Sequence, residues 1–294
     1  MKICQECNRG FSSAQWTCPQ CGYRPEKIDG FVAHAKDLAY DGGGFKAEYF
    51  KSLEAVEASS FWFRSRNEII LWALRAYKPE AKSFFEIGCG TGFVLSGIAQ
   101  HHPDIALSGS EIFVDGLKYA AQRLPHADLM QMDGRHVPFE NEFDVIGAFD
   151  VLEHIREDEE VLTQLLKALK PGGILLLTVP QHPWLWSRTD DYACHIRRYT
   201  QNELANKCTA AGMRIEKSTS FVTALLPFML VSRWLNRATK SDDGGMAELR
   251  LPPFINRLFY AAMTIDKMFI RCGVNLPVGG SRLVVARKAF AAGN

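Results

Sequence analysis

Residues 83–93 read Ser-Phe-Phe-Glu-Ile-Gly-Cys-Gly-Thr-Gly-Phe, and no other stretch limits the possible folds of the chain so strongly. Phe84, Phe85 and Ile87 form a short apolar run suited to a buried parallel strand. Gly88, Gly90 and Gly92 follow at once. Glycine lets the backbone turn sharply and lets a ligand approach with no Cβ in the way. Phe93, Val94, Leu95, Ile98 and Ala99 then recur at helical spacing. Strand, glycine turn and helix make the opening of a nucleotide-binding βαβ unit.

Which nucleotide is bound turns on the last glycine. The dinucleotide fingerprint G-x-G-x-x-G uses its third glycine for close helix–strand packing. Here the pattern is G-x-G-x-G, Phe93 stands where that glycine should be, and Glu86 lies at the strand end. The stretch resembles the E/D-x-G-x-G-x-G motif of class I S-adenosylmethionine (SAM) methyltransferases. The resemblance implies that SAM's amino-acid and ribose portions lie against Glu86, Gly88, Cys89, Gly90 and Gly92, since SAM has no pyrophosphate. A generic glycine turn is the plainer reading of so short a motif, and the downstream sequence argues against it.

The 294 residues suffice for a sizeable core plus an appendage. A formal net charge of +1 gives no global pull toward nucleic acid. No apolar run reaches the roughly 18 residues a membrane span needs, and Met1-Lys2-Ile3-Cys4 does not read as a signal peptide. The expected location is the cytoplasm, with peripheral contact at the inner face of the membrane open.

Four of the eight cysteines form a first module over residues 1–26. Cys4-x-x-Cys7 and Cys18-x-x-Cys21 can each offer two thiolates to one metal, completing a tetrahedral site of the zinc-ribbon kind. Gly10 and Gly22 follow the pairs, as tight turns would require. Four thiolates leave no open coordination position, so the expected zinc is structural. Cys89, Cys194, Cys208 and Cys272 lack this spacing. Residues 27–44 read as a linker ending in Asp41-Gly42-Gly43-Gly44, and residues 45–290 as the methyltransferase domain.

Strand and helix patterns alternate after residue 83, which implies a doubly wound, mostly parallel sheet. Seven strands are expected: 84–87, 105–110, 127–132, 143–149, 174–179, 213–220 and an antiparallel last one at 282–287. Glu111 ends the second strand, about 20 residues past the glycine turn, where an acid can accept both ribose hydroxyl protons; Ile112 follows it. By resemblance, Asp133 at the end of the third strand meets the adenine amino group, with the backbone near Gly134 and Arg135. Asp150-Val151-Leu152-Glu153-His154 after the fourth strand resembles the post-strand motif of ubiquinone-type small-molecule methyltransferases, which puts Asp150 at the cofactor. Leu169-Lys170-Pro171-Gly172-Gly173 is a further element familiar in this superfamily, and the resemblance covers about residues 61–222. The segment before the first strand, Phe61-Trp62-Phe63-Arg64-Ser65-Arg66, covers the methionine end of SAM in many relatives; Arg66 is the arginine placed to pair with the cofactor carboxylate.

Methyl transfer from a sulfonium needs mostly in-line positioning, and a hydroxyl acceptor also needs its proton removed. His154 is the first candidate general base and His195 the second; both can instead be pocket walls. The loop 180–199 holds Trp184, Trp186, Arg197, Arg198 and Tyr199, residue types able to wall a pocket and reach a substrate. Thr200-x-x-Glu203 reads as a capping box.

Between the last two strands lies an apolar, helical insertion at about 223–280, with a break at 240–245. It can be core, a dimer face, a substrate cap or an interfacial surface for membrane or a lipid-borne substrate. The expected activity is therefore methylation, by O-transfer, of a small-molecule or lipid- or glycan-linked acceptor. A zinc-ribbon ribosomal RNA methyltransferase and a non-catalytic SAM-binding module are the alternatives. Near-neutral charge, no basic stripe and no Asn-Pro-Pro-Tyr-type motif count against the first; the glycine motif with Glu111 and Asp133 counts against the second.

Overall fold

The structure, a computed structural model, describes residues 1–40, 46, 49–236 and 251–290. The Asp41–Gly44 end of the expected linker and the expected break at 240–245 lie outside the described residues. At the amino terminus, strands β1 (Lys2–Ile3) and β2 (Gly10–Phe11) pair antiparallel. Asn8 takes φ +56° in the first Cys-x-x-Cys knuckle and Gly22 takes φ +74° after the second. Gly10, expected at the first turn, sits instead in β2, where a Cβ would meet Met1 Sδ at 2.7 Å. Asn is among the few side chains that tolerate the left-handed region, which lets it replace glycine there.

The presumed linker is partly sheet. Strands β3 (Lys27–Ile28) and β4 (Phe31–Ala33) form a hairpin. Helices α1 (Tyr49–Glu57) and α2 (Phe61–Tyr77) come next. The chain then alternates through β5 (Ser83–Ile87), α3 (Phe93–His101), β6 (Ala106–Glu111), α4 (Val114–Arg123), β7 (Asp128–Gln131) and β8 (Phe143–Phe149). It continues through α5 (Asp158–Ala168), β9 (Leu169–Pro180), α6 (Arg188–Tyr192), α7 (Glu203–Ala210) and β10 (Met213–Phe221). The insertion supplies α8 (Leu226–Asn236) and α9 (Pro253–Arg271) before β11 (Ser281–Lys288).

The large sheet runs in the order β10-β11-β9-β8-β5-β6-β7-β4-β3. Seven of these strands are those expected, with β11 antiparallel between β9 and β10. The two extra strands come from the presumed linker: β4 pairs parallel with β7, Val32 opposite Met130 and Ala33 opposite Gln131. This hairpin covers what would otherwise be an open sheet edge.

Both faces are buried. Phe84, Leu283 and Val285 point into one apolar cluster with α2, α3, α4 and α9; Phe85, Val284 and Ala286 point into the other with α5 and α7. That alternation follows from the two-residue period of a strand. The second cluster also takes in Cys4, Phe11, Trp16 and Cys18. Trp16 meets Phe139 at 5.4 Å, and the Ile3 N–H donates to the Pro138 carbonyl at 2.9 Å. The cysteine module is thus packed into the domain core. Glu203 accepts from the Thr200 N–H at 3.1 Å, but α7 starts at Glu203 itself with Asn202 as its N-cap, so the capping box expected at Thr200 does not form.

Candidate active site

The order of strands reverses between β5 and its neighbours β6 and β8, and in such sheets ligands bind beyond the carboxyl ends at that point. A cavity of about 550 Å³ opens there, within the roughly 300–1,000 Å³ of small-molecule sites. Gly88, Cys89 and Gly90 form its floor. Gly88, Gly90 and Gly92 all take positive φ, +66°, +52° and +74°. A Cβ on Gly88 would meet Val151 Cγ2 at 2.5 Å, whereas at Gly90 the nearest atom is 3.8 Å away, so the backbone there is open to the cavity. Gly92 caps α3 and does not line the cavity.

Glu86 lines the cavity beside the glycines and is buried. Burial pushes its carboxyl well above the ordinary range, opposed by the Arg66 charge and the Leu95 N–H. Glu111 is 8% exposed and accepts from the N–H groups of Gly90 at 3.0 Å and Ile112 at 2.8 Å. Burial raises its pKa as well, with those N–H groups and that of Phe113 opposing. Asp133 is held by Arg135, whose Nε and Nη2 donate at 2.9 and 2.7 Å. Desolvation opposes the net downward shift of Asp133, which its bonds to Arg135 produce. Ile112, Asp133, Gly134 and Arg135 all line the same cavity.

Arg66 and Asp150 also line it, but they face each other. Arg66 Nη1 donates to Asp150 Oδ2, which accepts from Thr178 Oγ1 as well, and the guanidinium lies over Trp62 at 4.6 Å. Asp150 has φ +58°, an uncommon conformation for a side-chain-bearing residue.

His154 and His195 meet on the far wall, ring centroids 4.9 Å apart. Burial and the neighbouring His195 lower His154 to about 4, so it is neutral near pH 7. His195 Nδ1 lies 2.9 Å from Asp190 Oδ1.

The other loop residues lie elsewhere. Tyr199 is fully buried and donates to Asp158 at 2.6 Å; Arg197 pairs with Asp158 at 2.9 Å. Arg198 Nε donates to Asp190 at 2.6 Å. Trp184 stacks on His182 and Trp186 donates to Asp191, both largely exposed. None of these five lines the cavity, because the short helix α6 turns residues 193–196 inward in their place. The insertion likewise contributes no lining residue among those described; α9 packs behind α2, with Asn256 bonded to the Phe61 N–H and the Ser59 carbonyl.

The helix α1 adds lining residues that the glycine motif and the strand ends do not point to. Phe50, Leu53 and Glu57 of α1 close one side with Phe63 and Phe93. Glu57 accepts from Thr91 at 2.7 Å and pairs with Arg123 at 2.5 Å, anchoring α1 to the glycine turn. Phe50, Leu53 and Val56 recur at helical spacing, which marks α1 as a helix but does not reveal its partner.

At the amino terminus, Cys4 and Cys21 sulfurs are 3.6 Å apart and those of Cys7 and Cys18 are 3.7 Å apart. All four lie within 4.8 Å of one another. A tetrahedral zinc with Zn–S near 2.3 Å separates its sulfurs by about 3.8 Å, so the four fit that ion. Backbone N–H groups at Cys21 and Gln20 help lower Cys18 to about 7, favouring the thiolate.

Residues 85–175 match the family described as "Methyltransferase domain". Over 171 residues the chain is 24% identical to a probable S-adenosylmethionine-dependent methyltransferase of Mycolicibacterium smegmatis, covering 56% of this chain and 64% of that one. Over 120 residues it is 31% identical to the dTDP-3-amino-3,4,6-trideoxy-alpha-D-glucopyranose N,N-dimethyltransferase of Streptomyces venezuelae, covering 40% and 48%. The chain thus spans less than two thirds of the length of these curated relatives. Among solved structures, the [4+2]-cyclase SpnF superposes with a TM-score of 0.52 at 22% identity, covering 77% of this chain and 81% of that one. Sheet order, matched segment and structural likeness together give the chain the Rossmann-like fold of class I methyltransferases, with residues 85–175 similar to the methyltransferase-domain family.

Proposed function

We propose that the chain is a SAM-dependent methyltransferase that O-methylates a small-molecule or lipid- or glycan-linked acceptor. The observation that carries this reading is one cavity floored by left-handed glycines, with Glu111 and Asp133 at the ends of the two adjacent strands. Glu111 would accept from the ribose hydroxyls, the backbone at Gly134 and Arg135 with Asp133 would border the adenine, and Arg66 would meet the methionine carboxylate. Bound SAM supplies an already activated methyl group. The chain's own part is then to hold the acceptor in line and exclude water, which Trp62, Phe63, Phe93 and the 193–196 segment are placed to do. His154, neutral and facing the cavity, can accept the proton of an acceptor hydroxyl, with His195 beside it.

The lipid-linked acceptor is supported by exposed apolar side chains on the insertion: Phe228, Leu230 and Val231 on α8, and Phe254, Leu258, Met268 and Phe269 on α9. No helix among the described residues is long and apolar enough to cross a membrane, so such contact would be interfacial. The four cysteines are assigned a structural zinc. Calorimetry with SAM and with NAD tests the cofactor: SAM should bind, and tight binding of NAD alone would overturn the reading. Mass spectrometry of extracts incubated with methyl-labelled SAM then identifies the acceptor; labelled ribosomal RNA, with salt-sensitive binding, would instead support the RNA alternative.

A further inference from the structure

Glu153 is the least accounted-for charged residue of the site. Its side chain is fully buried, and neither carboxylate oxygen has hydrogen-bond geometry with another described residue. A buried carboxylate left this way is costly unless a cation or proton compensates it. The nearest titratable nitrogen, His195 Nε2, stands at 3.8 Å, beyond hydrogen-bond length. Asp150, close by, is already engaged by Arg66 and Thr178.

Glu153, His154 and His195 each direct a donor atom into one small volume, with those atoms within 4.8 Å of one another. Donors held about 2.0–2.2 Å from a single ion lie roughly 3–4 Å apart, so the 3.8 Å gap between Glu153 Oε1 and His195 Nε2 suits an ion between them. The outer contacts are those a ligand needs. Asp190 Oδ1 accepts from His195 Nδ1, which leaves the Nε2 lone pair facing Glu153. Asp190 is itself fixed by Arg198 Nε at 2.6 Å and the Ser187 N–H at 2.7 Å. The His154 ring is bonded by the backbone of Cys194. A carboxylate or carbonyl behind each ligating imidazole is the usual means of fixing its tautomer and orientation.

We propose that Glu153, His154 and His195 bind a divalent transition-metal ion whose open coordination face receives an oxygen of the acceptor. Two imidazoles and one carboxylate select ions of the Mn²⁺, Fe²⁺, Co²⁺ and Zn²⁺ class over Ca²⁺. The two histidines line the cavity and Glu153 lies behind them, so the free positions of the ion point at the acceptor. As a ligand His154 no longer serves as the base, and the ion takes over that activation: it lowers the pKa of the bound hydroxyl, the O–H bond breaks, the proton leaves to water, and the electron pair stays on an oxygen held by the ion. The binding claim stands alone; only the acceptor role rests on the methyltransferase reading.

The probe is Mn²⁺ added to the full-length chain and followed by electron paramagnetic resonance, since four thiolates disfavour that ion. One Mn²⁺ should bind per chain. Glu153→Gln should weaken it at least tenfold, and Asp190→Asn by about 10- to 100-fold through the His195 orientation. Should Glu153→Gln misfold, Mn²⁺ broadening of the His154 and His195 proton resonances in the unaltered chain reports the same ligands. No Mn²⁺ binding, or binding indifferent to both substitutions with no broadening, overturns the proposal. SAM affinity measured on the same samples separates the two claims: a chain that binds Mn²⁺ at these residues but not SAM keeps the metal site and loses the methyltransferase reading.

Discussion

Glu111→Ala is the perturbation that tests the cofactor site most directly. The Glu111 carboxylate is 8% exposed and already tied to the Gly90 and Ile112 N–H groups. Its orientation is therefore set before any ligand arrives. A hydrogen bond to a charged group contributes about 1.5–3 kcal/mol net. Two ribose hydroxyls would double that, and the offset from the carboxylate's retained backbone donors and from the water the hydroxyls give up leaves about 1–3 kcal/mol, or roughly 5- to 150-fold in Kd. Calorimetry with SAM measures this. The substitution also orphans the Gly90 and Ile112 N–H groups, so thermal melts must accompany it. Glu111→Gln, which keeps the shape and one acceptor oxygen, should bind SAM with intermediate affinity. A folded Glu111→Ala protein whose Kd stays within about twofold of the unaltered chain would refute the ribose assignment.

Other outcomes follow from the same structure. Metal analysis of the purified protein should find about one zinc per chain in the cysteine cluster, and Cys18→Ser should lose it; a metal-free chain with an ordered amino-terminal module would contradict the assignment. Trp16→Ala should cost about 3–5 kcal/mol in chemical denaturation, because Trp16 is 9% exposed and packs on Phe139 inside the domain core. A cost near zero would mean that the module only rests on the surface. Burial, and then the Lys2 charge, lower His34 to about 4. The unfolded chain therefore binds a proton at this position between about pH 6.5 and 4 when the folded chain does not, so stability falls as pH drops through that window. His34→Gln should flatten that slope in pH-dependent melts, and an unchanged slope would remove His34 from the account.

The legible parts of the chain are those where local conformation and function coincide. Gly88, Gly90 and Gly92 could be read because no other residue meets their backbone demand so cheaply, and all three have positive φ. Strands β5, β8 and β9 could be read because buried parallel strands are apolar on both faces. What escaped depends on partners distant in sequence. The strands β3 and β4 have two and three residues, too few to display alternation, and exist because β7 offers an edge to pair with. Arg198 and Tyr199 are residue types that recognise substrates, yet Asp190 and Asp158 engage them inside the protein. Glu153 is unremarkable within Asp-Val-Leu-Glu-His; only the fold shows that its carboxylate is enclosed without a hydrogen-bond partner from another described residue.

The cysteine module and the cavity proposed to hold the cofactor are mechanically one unit. The segment leaving the module runs along β7, where the His34 N–H donates to the Gln131 carbonyl at 2.8 Å. The Gln131 amide then bonds the carbonyls of Ala35, at 2.8 Å, and of Ile112, at 2.9 Å. Ile112 follows Glu111, and Gln131 precedes Met132 and Asp133, so this buried amide ties the two strand ends assigned to ribose and adenine. Farther on, the Ala39 carbonyl accepts from the Val114 N–H at 3.0 Å, at the first turn of α4. Metal in the cysteine cluster would stabilise the module that anchors this strap, and the strap braces the loops that the cofactor must find preorganised. A zinc held by the four cysteines would in this way contribute to SAM affinity without touching SAM.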